Sequence, residues 1–232
     1  MSTLMAVFAH PDDETFICGG TLARASREGH RVILVCATKG EMGRRMGVPP
    51  VATRESIGSV REEELKNACQ ALGIAKLTLL GLRDKSLEIQ PYESLVSRVL
   101  SELMAERPQA VVTFHEKYGG HPDHCTIGKA TTDAFQRYRE TEPGARLYYV
   151  AWSHMYDERD ALLLSADQFV RVDVSKDSRA KLMAFRAHKT QSGMNDAIWR
   201  DEKSAASRLG GHEFFLQAHS PYQRGATGLF DS

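Results

Sequence analysis

The sequence predicts an α/β protein: a Rossmann-like open, mostly parallel sheet with helices on both faces. Two observations carry that prediction. Short, continuous apolar runs recur along the chain, and longer segments with helical spacing of apolar residues separate them. A strand that is apolar on both sides is covered on both faces, and regular alternation with helices is how a parallel sheet is wound.

The elements follow in order. Residues 4–9 (LMAVFA) form a buried strand, and an amphipathic helix covers about 17–29. A second strand spans 31–38 (RVILVCAT), and a Gly- and Pro-rich loop occupies 39 to about 53. The helix from about 54 to 72 ends at Gly73, the residue type best suited to a helix C-terminus. A third strand lies at 76–80 and a helix at 92–106, stopped before Pro108; a fourth strand covers 110–114 (AVVTF). A helix over about 124–140 and a fifth strand over 146–152 (RLYYVAW) complete the regular alternation. Beyond Trp152 the pattern loosens into a possible strand at 169–174, a helix at 178–189 and a short strand at 211–218. With no repeat or linker, residues 1–232 are expected to form one domain, its C-terminal third an appendage walling the site.

Composition narrows the function. Hydrophobic residues make up 42% of the 232, charged residues 26%, and thirty basic side chains balance thirty acidic ones. A nucleic-acid or membrane-surface binder needs a basic excess to meet phosphates, so both classes are excluded as general activities. The four cysteines, Cys18, Cys36, Cys69 and Cys125, show no C-x-x-C pairing and read as free thiols in a reducing cytosol. The apolar run at residues 4–9 is too short for a signal peptide or a membrane span, which again leaves the cytosol.

Two constellations carry chemistry: His10-Pro11-Asp12-Asp13-Glu14 after the first strand and His121-Pro122-Asp123-His124 after the fourth. In a sheet of order 3-2-1-4-5 the crevice at the carboxyl ends of strands 1 and 4 is the ligand site, so the two loops converge there. Imidazole and carboxylate suit zinc or another divalent ion, and three protein ligands plus water make a catalytic pattern. Of two adjacent aspartates one can bind metal while the other accepts a proton from the attacking water. Alone, either loop is ordinary turn chemistry; the pairing of the two points to a metal site.

At these residues the sequence resembles the PIG-L, or LmbE-like, family of zinc de-N-acetylases, whose hallmarks stand here as Ala9-His10-Pro11-Asp12-Asp13-Glu14 and His121-Pro122-Asp123-His124. Thr38-Lys39-Gly40-Glu41, Arg61 with Glu64 and Leu65, Asp84, and Lys181 with Ala184, His188 and Gln191 extend the likeness over residues 4–191. The stretch 40–47 (GEMGRRMG) and 84–88 (DKSLE) are similar to the branch of the family that acts in bacillithiol biosynthesis.

The resemblance implies one zinc ion, or Fe2+ or another divalent ion, held by His10, Asp13 and His124. It implies Asp12 as general base, His121 as oxyanion stabiliser and donor to the leaving amine, and Asp123 as the residue that orients or tunes His121. Arg61 and Asp84 would hold sugar hydroxyls. The implied substrate is an N-acetylglucosamine conjugate, N-acetylglucosaminyl malate, and family members often form hexamers or dimers. Arg44 and Arg45, on the loop after the second strand, suit the two carboxylates of a malate because guanidinium binds carboxylate bidentately.

A catalytic Tyr stands two residues before the first His of the second motif in family members acting on a mycothiol precursor. Gly119 occupies that position here and Tyr118 lies one further back, so Tyr118 is left out of the catalytic set. Lys181, His188 and Lys189 read first as cations near a helix C-terminus. Two other functions share parts of the pattern. A two-His-one-carboxylate iron(II) oxygenase has the same donor set, but it usually sits in an all-β barrel and has no use for Asp12. A non-catalytic sugar- or nucleotide-binding module would have no need of the intact ligand set and base, and no G-x-G-x-x-G follows the first strand.

Overall fold

The strand of residues 4–9 lies at the centre of the sheet, where an unbroken apolar run is required on both faces. In the computed structural model, which describes residues 1–219, 221–222 and 226–230 (backbone alone at 206 and 207), Leu4 to Phe8 are fully buried within β1 (Thr3–Phe8). β2 (Arg31–Thr38), β3 (Lys76–Leu82), β4 (Ala110–Thr113) and β5 (Arg146–Ala151) follow, each preceded by a helix or by the crossover that contains one. The sheet order is β3-β2-β1-β4-β5-β7-β6. β1 pairs in parallel with β2 on one side and β4 on the other, so the switch point falls between β1 and β4 as expected.

Nine α-helices are present among the described residues: α1 (Asp13–Arg27), α2 (Ile57–Leu72), α3 (Tyr92–Glu106), α4 (Pro122–Arg139), α5 (Ser153–Asp157), α6 (Ser178–Ala187), α7 (Lys189–Ser192), α8 (Asp196–Trp199) and α9 (Glu202–Leu209). α1, α2 and α6 pack together and α3 packs on α4, so the two groups cover opposite faces, as right-handed crossovers on either side of the switch point require. Gly73 caps α2 in the left-handed conformation, φ 70°, the role its position suggested.

Two differences from the sequence reading matter for function. The motif residues lie at the starts of helices rather than in free loops. α1 begins at Asp13, with His10 to Asp12 in the turn before it, and α4 begins at Pro122, with His121 as its N-cap, so each motif runs into a helix that aims its positive end at the crevice. The C-terminal third is also more than an appendage. β7 (His212–Gln217) pairs antiparallel with β5, and β6 (Phe169–Asp173) pairs antiparallel with β7, extending the one sheet to seven strands. All four cysteines are free thiols, three of them buried. Among the described residues no helix is long and apolar enough to cross a membrane.

Candidate metal centre

β1 and β4 deliver the two motifs side by side, and His10, Asp13 and His124 meet although more than a hundred residues separate them. His10 Nδ1 lies 3.2 Å from His124 Nε2 and 3.7 Å from Asp13 Oδ2; His124 Nε2 lies 3.2 Å from Asp13 Oδ1. Ligands about 2.0–2.2 Å from a tetrahedral ion stand about 3.3–3.6 Å apart, so His10 Nδ1, His124 Nε2 and the Asp13 carboxylate, one oxygen toward each imidazole, have spacings close to those of a zinc-type cradle.

The far side of each imidazole is already committed. His10 Nε2 faces Asp123 Oδ2 at 3.1 Å and Asp84 Oδ1 at 3.2 Å, and His124 Nδ1 faces the Gly119 carbonyl at 2.9 Å. An acceptor behind each ring fixes the tautomer and turns the free lone pairs of His10 Nδ1 and His124 Nε2 toward one point, the usual support of a metal-binding histidine. The His124 ring also stacks face to face on Phe114, with centroids 3.9 Å apart. Donor atoms of His10, His121 and His124, and of His10, Asp84 and Asp123, also lie close enough to share an ion. In the second group, however, Asp84 and Asp123 take the Nε2 face of His10, away from Asp13.

Electrostatics agree with a cation cradle. Burial disfavours charge on His10, yet hydrogen bonds to Asp123 and Asp84 outweigh it and lift its pKa to about 10. His124 is likewise raised, its burial overcome by Asp13. Burial works to raise Asp84 as well, but His10 brings it down to about 2. Positive charge is thus stabilised where the imidazoles meet.

Asp12 stands apart from the cradle. It is the N-cap of α1 with φ 102°, and its Oδ2 accepts from Arg61 Nη2 at 2.8 Å. Burial lifts its pKa to about 7, Asp13 adding to the rise and Arg61 opposing it. A carboxylate poised there can take a proton near neutrality.

Several expected roles change. Arg61 is only 3% exposed and grips the turn: it donates to the Pro11 carbonyl, to Asp12 and to the Gly40 carbonyl, leaving no free face for a sugar. A Cβ on Gly40, φ 64°, would collide with this guanidinium, which accounts for the glycine. Asp84 holds His10 and accepts the Met42 N–H at 2.8 Å, so it too is turned away from sugar hydroxyls. The Asp123 carboxylate does not meet the His121 ring. It accepts from His10 and from the backbone N–H groups of Lys85 (2.7 Å) and Leu87 (3.1 Å).

His121 is the N-cap of α4, and its Nδ1 accepts the Asp123 N–H at 3.1 Å. The ring is therefore a neutral imidazole with its proton on Nε2, and burial together with His10 and His124 lowers its pKa further. Arg44 and Arg45 are exposed on the loop; the Arg44 backbone is clasped by Gln191. Tyr118 stacks on His115, centroids 4.5 Å apart, and packs against the apolar cluster of Ala151, Met155, Phe169 and Leu216.

Two of the C-terminal cations, Lys181 and His188, are buried tethers. Lys181 pairs with Glu213 at 2.6 Å and His188 with Glu14 at 2.6 Å; Lys189 is exposed. Glu14 and Glu64 were not marked as site residues by sequence reasoning. Their only signal was membership of motifs whose partners lie over a hundred residues away.

A doubly wound sheet with a His/carboxylate cradle at its switch point is a scaffold for metal-dependent hydrolysis. Comparison with known proteins carries this further. The family model described as PIG-L, GlcNAc-PI de-N-acetylase, matches residues 5–135. A Bacillus cereus protein named probable N-acetyl-alpha-D-glucosaminyl L-malate deacetylase 2 is 35% identical over 189 residues, covering 82% of this chain and 83% of that one. A Thermobifida fusca 1D-myo-inositol 2-acetamido-2-deoxy-alpha-D-glucopyranoside deacetylase is 30% identical, with 95% and 94% covered. Among solved structures, the N,N'-diacetylchitobiose deacetylase of Pyrococcus horikoshii shares the fold, with a TM-score of 0.69, 22% identity, and 93% and 83% covered. The chain belongs to the PIG-L family of de-N-acetylases.

Proposed function

We propose that this protein hydrolyses the N-acetyl group of an N-acetylglucosamine conjugate, N-acetylglucosaminyl malate in the first place, with a divalent ion at His10, Asp13 and His124. The observation that supports it most is the cradle: two imidazole nitrogens 3.2 Å apart, each 3.2–3.7 Å from an oxygen of the Asp13 carboxylate, with both imidazoles held from behind. The donor set suits zinc, and an ion held there would polarise the amide carbonyl and acidify a water.

The chain's own residues do the rest. Asp12 accepts a proton from the water as it attacks the carbonyl carbon. His121 donates its Nε2–H to the carbonyl oxygen as negative charge develops there, acting as a neutral donor because its Nδ1 is occupied. The proton on Asp12 then passes to the sugar nitrogen as the C–N bond breaks, giving acetate and a free amine. Arg61 keeps Asp12 in place throughout.

The malate assignment draws on relatives such as the Bacillus cereus protein and on the loop bearing Arg44 and Arg45. That loop is tied to the centre at Met42, through Asp84, and at Gly40, through Arg61. Exposed guanidinium groups so placed can pair with the two carboxylates of a malate. We take residues 1–232 as a single deacetylase domain acting in the reducing cytosol, where its free thiols persist. Mass-spectrometric screening of the malate, inositol and unconjugated N-acetylglucosamine substrates tests this reading. Loss of an acetyl group fastest from the malate conjugate is expected; no deacetylation of any glucosamine conjugate would refute it.

A further inference from the structure

We propose that the short turn from His188 to Gln191 is a positioning element that sets the Asp12 base through one residue and the Arg44 loop through another. The proposal rests on the reading of Asp12 as base and of the loop as the reader of the substrate's acid.

The base comes first. Asp12 has φ 102°, a conformation L side chains rarely adopt, so something must hold it. Glu14 Oε2 accepts the Asp12 N–H at 3.0 Å, and Glu14 Oε1 is met by His188 Nε2 at 2.6 Å and by the Thr15 hydroxyl at 2.6 Å. Glu14 and His188 are both buried from solvent. His188 Nδ1 is buried without a hydrogen-bond partner among the described residues. A histidine that leaves one nitrogen unsatisfied is a poor choice for packing alone; what it supplies is the Nε2 contact. Phe16, on the next turn of α1, meets this ring edge-on and stacks on Phe185, closing the pocket.

The loop comes next. Thr190 donates its N–H and hydroxyl to the two oxygens of Glu64, at 2.7 and 2.6 Å. Glu64 lies one turn beyond Arg61 on α2, the helix whose guanidinium grips Asp12. The Thr190 carbonyl accepts the Met46 N–H at 3.1 Å. Gln191 clasps the Arg44 backbone with both ends of its amide: Oε1 accepts the Arg44 N–H at 3.1 Å, and Nε2 donates to the Arg44 carbonyl at 2.7 Å. None of these side chains reaches the donor atoms of the cradle, yet between them they hold the residue that moves the proton and the loop that meets the acid.

Independent contacts predict independent kinetic effects. In the metal-loaded enzyme, His188→Leu should lower kcat about 10- to 100-fold, the scale of a base displaced by an ångström or less. Metal content and KM should stay near wild type. His188→Gln, whose amide Nε2–H reaches the place of the imidazole Nε2–H, should recover most of that loss. Gln191→Ala should raise KM for the malate conjugate about tenfold, one good hydrogen-bonded contact's worth, with kcat held and plain N-acetylglucosamine little affected. Should His188→Leu not fold, His188→Asn, too short to reach Glu14, must show the same fall in kcat.

Normal kcat in these shortened variants, or His188→Gln as slow as His188→Leu, would overturn the proposal. So would equal losses of kcat and KM in both the His188 and Gln191 variants, the mark of general loosening. Asp12→Asn separates the two readings. If it is slow while His188→Leu is normal, only the positioning fails; if Asp12→Asn is itself normal, the base assignment fails.

Discussion

Replacing Asp123 by Asn tests whether this carboxylate serves His10, which we propose as a metal ligand, or the ring of His121. The side chain accepts three hydrogen bonds, from His10 Nε2 (3.1 Å), Lys85 N–H (2.7 Å) and Leu87 N–H (3.1 Å). Asparagine is nearly isosteric but offers one acceptor oxygen and no charge, so it cannot satisfy both backbone donors and still hold the imidazole. Loss of such a partner behind a metal-binding histidine costs about 10- to 100-fold in metal affinity, or about 1.4–2.7 kcal/mol. What the His121 ring takes from Asp123 is the backbone N–H, which the substitution keeps. At saturating zinc the variant should therefore turn over within about threefold of wild type, since donation to the oxyanion is untouched. Competition with a chromophoric chelator gives the affinity, and acetate release at saturating metal gives kcat. Unchanged affinity together with a hundredfold loss of kcat would place Asp123 with His121 and refute the reasoning.

Four further outcomes are expected. Asp12→Asn should keep its metal and lose about two to four orders of magnitude in kcat, the scale of a general base, as read by acetate release and metal analysis. His121→Ala should lose about a hundred- to a thousandfold in kcat with full metal content and little change in KM, the usual effect of removing an oxyanion donor. Arg44→Ala or Arg45→Ala should raise KM for a malate conjugate far more than for N-acetylglucosamine; equal effects on both would remove the loop from acid recognition. The pH dependence has two signs to check. Asp12, lifted to about 7, must be ionised to accept a proton, so kcat/KM should climb as pH rises toward that value and Asp12→Asn should lose the limb. In metal-free protein His10 is protonated below about 10 and must lose that proton to bind an ion, so metal binding should release a proton and tighten as pH rises from 7 to 9. Calorimetry in two buffers of different ionisation enthalpy measures the release.

What the sequence revealed of the fold was what central parallel strands cannot hide. β1, β2 and β4 are covered on both faces, so they appear as unbroken apolar runs, and their order followed from the alternation with helices. The short α5, α8 and α9 carry too few turns for a periodic signal, and nothing local to β6 and β7 shows that they enter the sheet antiparallel. Both helices begin earlier than their apolar pattern suggests, α1 at Asp13 against about 17 and α4 at Pro122 against about 124, because residues that bind or titrate do not look like amphipathic helix starts.

The candidate site was legible in its residue types and less so in their partners. His10, Asp13 and His124 converge because two strands flank the switch point, a topological fact that spacing can anticipate. The resemblance implied that Arg61 and Asp84 hold sugar hydroxyls, yet both are buried and turned onto Asp12 and His10. No periodicity reports that a cation at position 61 will find a carbonyl at position 11, or that His188 will meet Glu14 across 174 residues.

The central claim is that a divalent ion at His10, Asp13 and His124 runs amide hydrolysis on an N-acetylglucosamine conjugate. The most direct test follows acetate and free amine released from N-acetylglucosaminyl malate by chelator-stripped protein, by the same protein after one equivalent of zinc, and by Asp13→Ala treated alike. Stripped protein should be inert, zinc should restore equimolar acetate and amine, and Asp13→Ala should stay inert without retaining the ion. Full activity in the stripped protein, or in Asp13→Ala, would contradict the account.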